Sequence, residues 1–234
     1  MKLSIVIPTY NEELRIGATI KKVVSYLSRT TMDAEIIVVD DGSIDGTVGI
    51  VSLQCDPEIP IIILTQEKNS GKGAAVRRGM LQAVGDLVLF SDADLSTPIE
   101  ELDRFLVEIQ NGCDIVIGSR GLDSSLLEIR QPFYRQLMGK TFNKLVQLLV
   151  FSGIQDTQCG FKLFTRKAVL ALFPKQRIIS FAFDVEILYL ARKMGFCIKE
   201  VPVTWRNEKH SRVKIVKDSL KMLLSLLIIK TTHR

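Results

Sequence analysis

Short apolar runs punctuate the first half of the chain. Leu3–Ile7 (LSIVI), Glu35–Val39 (EIIVV), Ile61–Leu64 and Leu87–Phe90 lack regular polar alternation. Runs of this kind predict strands covered on both faces, as in parallel sheets. Between them apolar positions recur at helical spacing, over Leu14–Leu27, over about 47–54, and after Asn69–Gly73, where Val76, Met80 and Ala83 share a face. Pro98, with Glu100 and Glu101 behind it, predicts a further helix start. Asp114–Ile117 is a fifth strand. The alternation predicts an α/β fold with a mostly parallel central sheet and helices on both faces.

The second half reads differently. Phe133–Phe151 sets Leu137, Phe142, Leu145, Leu148 and Leu149 on a helical stripe among Arg135, Lys140 and Lys144. Core packing explains such a stripe, and a membrane-surface helix is the sharper reading. Asp156–Phe161 is a polar turn leading into Lys162–Phe164. Phe181-Ala182-Phe183-Asp184-Val185-Glu186 begins a helix to about Met194, and its acids fit either a helix start or a paired-carboxylate site. Glu200–Trp205 is a strand that Pro202 places at an edge. Ile215–Ile229 is an amphipathic helix bearing Leu220, Leu223, Leu224, Leu227 and Ile228, with Lys214, Lys217 and Lys221. No apolar run reaches the roughly 18 residues of a bilayer span. The expected organisation is one domain over 1–205, then a basic loop and membrane-surface helix over 206–234.

Composition changes this picture in three places. With 234 residues, 47% of them apolar and 24% charged, the chain has the make-up of a globular protein. Its net charge of +5 is concentrated: from Trp205 to Arg234 eight Lys/Arg face two acids. That tail points to an anionic partner, a diphosphate, lipid head group or nucleic acid, unless it is simply a solvated face. Nucleic acid is the weakest of these, because the tail lacks interleaved aromatics. Cys55, Cys113, Cys159 and Cys197 lie far apart without C-x-x-C spacing, which suggests neither a zinc site nor a disulfide framework. Reduced thiols in a cytosol-facing protein follow, and the opening residues carry no cleavage pattern.

The candidate chemistry centres on Leu87–Pro98, LVLFSDADLSTP. An extended Asp92-Ala93-Asp94 would aim two carboxylates at one spot past a buried strand. Open α/β sheets bind ligands at that edge, and two carboxylates leave room for water and a diphosphate around Mg²⁺. Asp40-Asp41-Gly42-Ser43 ends the second strand, where an acid can meet a base or sugar. Tyr10 and Glu12, after the first strand, fit base and ribose contacts or ordinary helix capping. Asn69–Gly73 lacks P-loop spacing; its glycines would let backbone approach a ligand near Lys72, Arg77 and Arg78, or simply open a helix with a basic face. Arg120 emerges beside the aspartates.

In order and spacing, P8-T-Y-N-E-E13, D40-D-G-S43, G71-K-G-A-A-V-R-R-G-M80, D92-A-D94, G118-S-R120, D156-T-Q-C-G-F-K-L-F-T-R166, F183-D-V-E186 and E200-V-P-V-T-W205 resemble the inverting family-2 glycosyltransferases of GT-A fold. Within these the chain looks most like the dolichyl-phosphate β-glucosyltransferase branch, with dolichyl-phosphate mannose synthases close by. The resemblance implies a GT-A (nucleotide-diphospho-sugar transferase) fold. It implies inverting transfer of a hexose, glucose from UDP-glucose before mannose from GDP-mannose, to dolichyl or polyprenyl phosphate. Mg²⁺ or Mn²⁺ would be held by Asp92 and Asp94, with Ser96 where some relatives have an amide. Pro8, Tyr10, Glu12, Val39, Asp41, Lys72, Ala93, Arg212 and Lys214 would bind the nucleotide sugar. Arg120, Arg135 and Lys140 would meet the acceptor phosphate, and Asp92, Asp94 and Arg120 would be the catalytic set. The N-terminal anchor of many eukaryotic members and the C-terminal spans of other relatives are not expected here. Membrane contact then falls to surface helices, in a cytoplasmic protein peripherally attached to the cytosolic face. A phosphate monoester, with a second pKa of about 6, needs little help from a general base. The reading from another class is a nonenzymatic membrane-associated scaffold subunit.

Overall fold

A computed structural model of the chain describes residues 1–54, 56–122, 127–129, 133–206 and 215–233. The apolar runs form β1 (Lys2–Thr9), β2 (Asp33–Asp40), β3 (Ile61–Thr65), β4 (Leu87–Ser91) and β5 (Ile115–Ser119). The helices between them are α1 (Ile16–Leu27), α2 (Thr47–Ser52), α3 (Lys72–Gln82) and α4 (Leu102–Gln110). Then come β6 (Leu127–Ile129), α5 (Phe133–Leu149), β7 (Phe161–Thr165), α6 (Arg166–Leu172), α7 (Phe183–Lys193), β8 (Ile198–Pro202), β9 (Trp205–Arg206) and α8 (Ile215–Thr232).

Seven strands make the main sheet in the order β3-β2-β1-β4-β7-β5-β8, and β6 pairs with β9 separately. β1 to β4 pair in parallel, as do β5 and β8, while β7 runs antiparallel between β4 and β5. The expected mostly parallel sheet is present, with one inserted antiparallel strand where the sequence predicts only the sequel to a turn. Its pattern explains this, since Lys162 stands in the middle of the strand and is 1% exposed. Pro202 does mark an edge strand, β8.

Side chains alternate across the sheet and build a core on each face. On one side Val6, Ile37, Val88, Phe90 and Phe164 pack against α3, α6 and α7. On the other, Ile5, Ile7, Val38, Leu89 and Phe161 pack against α1 and α4. The stripe on α5 faces the first core through Phe142, Leu145, Val146 and Leu149, with Leu148 left in solvent. α8 likewise buries Leu226 and Ile229 and exposes Leu224, Leu227 and Ile228. Among the described residues no helix is long and apolar enough to cross a membrane.

Helix α3 lies close to the sheet because Gly79 lets it; a Cβ there would collide with Val6 and Val39. Gly79→Ala should therefore destabilise the fold by about 1–3 kcal/mol, the usual cost of overpacking. Thermal melts should register it as a loss of about 2–4 °C per kcal/mol. An unchanged melting temperature would mean that α3 packs elsewhere.

Candidate active site

Parallel strands bring their carboxyl ends to one rim: Thr9 of β1, Asp40 of β2, Ser91 of β4 and Ser119 of β5. The reversed β7 brings its amino end there, so Gly160 joins them. Asp92 leaves β4 with its N–H donating to the Gly160 carbonyl (2.9 Å) and its Oδ1 accepting from Lys72 Nζ (2.6 Å). Any Cβ at residue 160 would overlap the Asp92 carboxylate, so glycine is required there.

The expected extended Asp92-Ala93-Asp94 is a turn. Leu95 adopts φ 46° and donates to the Asp92 carbonyl at 3.2 Å. The reason is burial, since Leu95 tucks into the core and pulls the chain round. The carboxylates still feel each other: burial and the Asp92 charge raise the Asp94 pKa, against hydrogen bonds from Ser96. Ser96 thereby braces Asp94, its N–H donating to Oδ1 at 2.9 Å. Ala93 is buried, and its carbonyl accepts from Thr19 Oγ1 (2.6 Å).

Asp92 and Asp94 supply hard oxygens suited to Mg²⁺ or Mn²⁺, and Gly160 leaves the room that the Asp92 carboxylate takes up. Among the described residues no cluster of three or more His, Cys, Asp or Glu is arranged to hold a metal ion. Water and substrate oxygens would have to complete such a site.

Arg120 follows β5 and is gripped by Asp156, Nε to Oδ2 at 2.6 Å and Nη2 to Oδ1 at 2.9 Å. The Arg120 backbone N–H donates to the same carboxylate, whose own N–H is held by Glu200. The Trp205 ring lies 5.5 Å from the guanidinium carbon. Burial opposes both charges, but the pairing prevails: Asp156 falls below the usual carboxylate range and Arg120 rises. Such a guanidinium is charged, oriented and still partly open to a ligand.

On the nucleoside side the residues separate. Pro8 is buried in β1, and Val39 points its side chain into the core, so only their backbone reaches the rim. Tyr10 is half-buried at the mouth. The Glu12 carboxylate is engaged by Arg15 at 2.7 and 2.8 Å. Asp41 is committed to the loop after β3, accepting from Gln66 Nε2, Ser70 N and Gly71 N. Its neighbour Asp40 accepts from Ser43 N through Oδ2, while its buried Oδ1 has no partner among the described residues. An adjacent cavity of about 370 Å³ is lined by Thr65, Gln66, Lys68, Ser70 and Arg78. The glycines at the start of α3 admit protein backbone: a Cβ at Gly71 or Gly73 would strike Ile179 or Ile178, and Ile179 O accepts from Gly73 and Ala74.

Arg212 and Lys214 lie outside the described residues, as do the side chains of Arg135 and Lys140. Asp184 and Glu186 do not form a carboxylate pair. Asp184 binds Lys162 at 2.6 Å, and Glu186 caps Arg177 and Ile178 and meets His233 at 2.6 Å. Two cysteines read as remote are neighbours, with Cys113 and Cys197 Sγ atoms 3.4 Å apart. The sequence gives no role to Asp156, Gly160 or Trp205 and takes Asp40 only together with Asp41; the signal for Asp156 and Gly160 was the D156-T-Q-C-G-F-K stretch itself.

The family model described as Glycosyl transferase family 2 matches residues 4–173. Dolichyl-phosphate beta-glucosyltransferase of Dictyostelium discoideum is 37% identical over 97% of this chain and 73% of its own length. The Homo sapiens protein of that name is 36% identical over 99% and 76%. Glucosyl-3-phosphoglycerate synthase from Mycobacterium tuberculosis, solved with Mn²⁺, UDP and glucosyl-3-phosphoglycerate, superposes with a TM-score of 0.74 at 20% identity, covering 97% of this chain and 78% of that one. Mannosyl-3-phosphoglycerate synthase from Rubrobacter xylanophilus gives 0.72 at 20% identity, over 100% and 74%.

Asp156→Asn should free the Arg120 side chain and reduce turnover by about 10- to 100-fold, the scale of a small misplacement. The pair's contribution to stability carries a sign as well. Because Asp156 is depressed, the contribution is complete above the free-aspartate value of about 4 and is lost as pH falls below it. Melting curves of wild type and Asp156→Asn should differ at neutral pH and converge in acid; a constant gap would remove the ion pair from the account.

Proposed function

The chain belongs to glycosyl transferase family 2, and on that footing we propose that it transfers glucose from UDP-glucose to dolichyl or a related polyprenyl phosphate, forming a β-linked lipid phosphate sugar. The observation that carries the reaction type is the meeting of Asp92, Asp94, Lys72 and Arg120 at one rim, with Lys72 and Asp92 in contact at 2.6 Å. The curated relatives give the lipid acceptor and the sugar, since those named dolichyl-phosphate beta-glucosyltransferase align over nearly the whole chain.

Asp40 supports the donor base. A buried carboxylate oxygen without a partner carries a desolvation cost that a ligand N–H removes. One open oxygen suits the single imide N–H of uracil. The paired N–H groups of guanine ask for both oxygens, and Ser43 already engages the other. UDP-glucose is therefore favoured over GDP-mannose.

The acceptor phosphate is largely dianionic near neutral pH and attacks the sugar carbon directly, inverting an α-linked donor. Arg120, fixed by Asp156, orients that phosphate, with Arg135 and Lys140 assisting from α5 and Arg212 and Lys214 closing on the diphosphate. Lys72 sets positive charge where the diphosphate departs, so its contact strengthens as the bond breaks. Asp92 and Asp94 would hold a divalent cation, Mg²⁺ or Mn²⁺, which would supply further charge against the leaving group. No carboxylate is needed as a base. The lipid is presented at a cytosolic membrane surface, against which Leu148, Leu224, Leu227 and Ile228 offer exposed apolar side chains beside Lys230.

Incubation with UDP-glucose, a short polyprenyl phosphate and Mn²⁺ should give a β-anomeric glucosyl phosphate by NMR, and chelator should stop it. Absence of product under these conditions, with UDP still bound, would favour a nonenzymatic scaffold. Asp40→Ala should raise the KM for UDP-glucose about tenfold, one charge-assisted hydrogen bond's worth, and narrow the preference over GDP-mannose. An unaltered preference would remove Asp40 from base recognition.

A further inference from the structure

Two charged side chains lie beneath this site, too deep to touch a substrate. Lys162 and Asp184 are 1% and 3% exposed. Lys162 Nζ donates to Asp184 Oδ1 at 2.6 Å and to the Cys159 carbonyl at 2.5 Å. Stability alone does not account for them, because a buried ion pair is often no better than apolar residues of similar volume.

Their surroundings point upward to Lys72. Lys162 pairs across β7 and β4 with Phe90, and its ammonium lies 5.7 Å from that ring's centroid. The Lys72 ammonium lies 5.2 Å from the same centroid. Phe90 in turn meets Phe183, the residue before Asp184, edge-on at 5.7 Å. Two ammoniums thus share one ring, and the Asp184 carboxylate acts on both. Lys72 then reaches Asp92 at 2.6 Å. The charges alternate from the core outward: Lys162, Asp184, Lys72, Asp92. Burial opposes the Lys72 ammonium, yet Asp92, Asp184 and Asp94 raise its pKa overall. Of the first three groups Lys72 is the most open, its side chain 21% exposed.

We propose that Lys162 and Asp184 are positioning residues which hold the Lys72 ammonium, through the Phe90 ring and the Asp184 carboxylate, at the place where the donor's diphosphate binds. The proposal rests on the donor reading above. In it Lys72 touches Asp92 while the charge of Asp184 draws it from below, so the ammonium keeps its place when it exchanges Asp92 for a phosphate. Asp184 acts through Lys72 and is no base, since its carboxylate is buried against Lys162.

Calorimetric titration with UDP in the presence of Mn²⁺, on the full chain, tests this. Lys162→Met/Asp184→Leu removes both charges together and should melt near wild type. UDP affinity should fall about tenfold, or 1.4 kcal/mol, and donor KM should rise as much while acceptor KM stays put. A loss of folded protein would lower kcat without that split. In a Lys72→Met background the double change should add nothing. Asp184→Asn, nearly isosteric, keeps an oxygen for Lys162 and should weaken UDP in the same direction, which serves if the double variant does not fold. Wild-type UDP affinity in either variant, or an additive loss with Lys72→Met, overturns the proposal. Failure of the unaltered protein to bind UDP would instead overturn the donor reading, and this one with it.

Discussion

Residue 160 has no side chain, and the Asp92 carboxylate lies across the space a Cβ would fill. The same glycine accepts the Asp92 N–H, so one backbone position fixes both the direction and the room of the central acid. It can do so only because β7 runs against its neighbours. A parallel strand would bring its carboxyl end to the rim; the antiparallel one brings the turn at 156–160. Asp156 for Arg120, Gly160 for Asp92 and Lys162 for Asp184 all ride on that reversal.

The frame was legible in the chain itself. Continuous apolar runs betrayed β1 to β5, because strands covered on both faces have no polar side to show. Pro202 betrayed an edge. β7 stayed hidden because its central lysine reads as a surface residue, and only an aspartate from a helix more than twenty positions away makes it a core residue. Asp92, Asp94 and Arg120 were visible through their place after strands. What could not be read was how carboxylates divide their labour. Asp40 and Asp41 are adjacent and chemically identical, and only the folded loop shows that Asp41 holds Gln66, Ser70 and Gly71 while Asp40 keeps an oxygen open. The glycines near Lys72 left two readings open for a related reason: close backbone approach is needed there, and residues 178–179 make it. Cys113 and Cys197 became neighbours through the pairing of β5 with β8, which spacing along the chain does not reveal.

Charges around the site come in pairs: Glu12 with Arg15, Lys72 with Asp92, Arg120 with Asp156, Lys162 with Asp184. Stability is not their main contribution, since solvent weakens the partly exposed ones. Their value is orientation. A guanidinium held on two nitrogens or an ammonium set against a carboxylate pays its ordering entropy before any substrate arrives. An incoming diphosphate or lipid phosphate would then exchange partners with groups already in place. That suits a reaction in which both donor and acceptor are anions and mutual repulsion has to be offset at short range.

The ion pair between Arg120 and Asp156 spans 36 positions. The chain leaves the rim at one member and returns at the other, having built β6 and α5 in between. The two residues thus act as a clasp at the neck of an excursion whose ends meet on adjacent strands. Of the described part of that excursion, α5 packs back on the core through Phe142, Leu145 and Val146, and β6 pairs with β9. Such an arrangement lets the excursion diverge in length and sequence while the strands below keep their register. A change of length inside the excursion would then leave Asp92 and Arg120 where their strands set them.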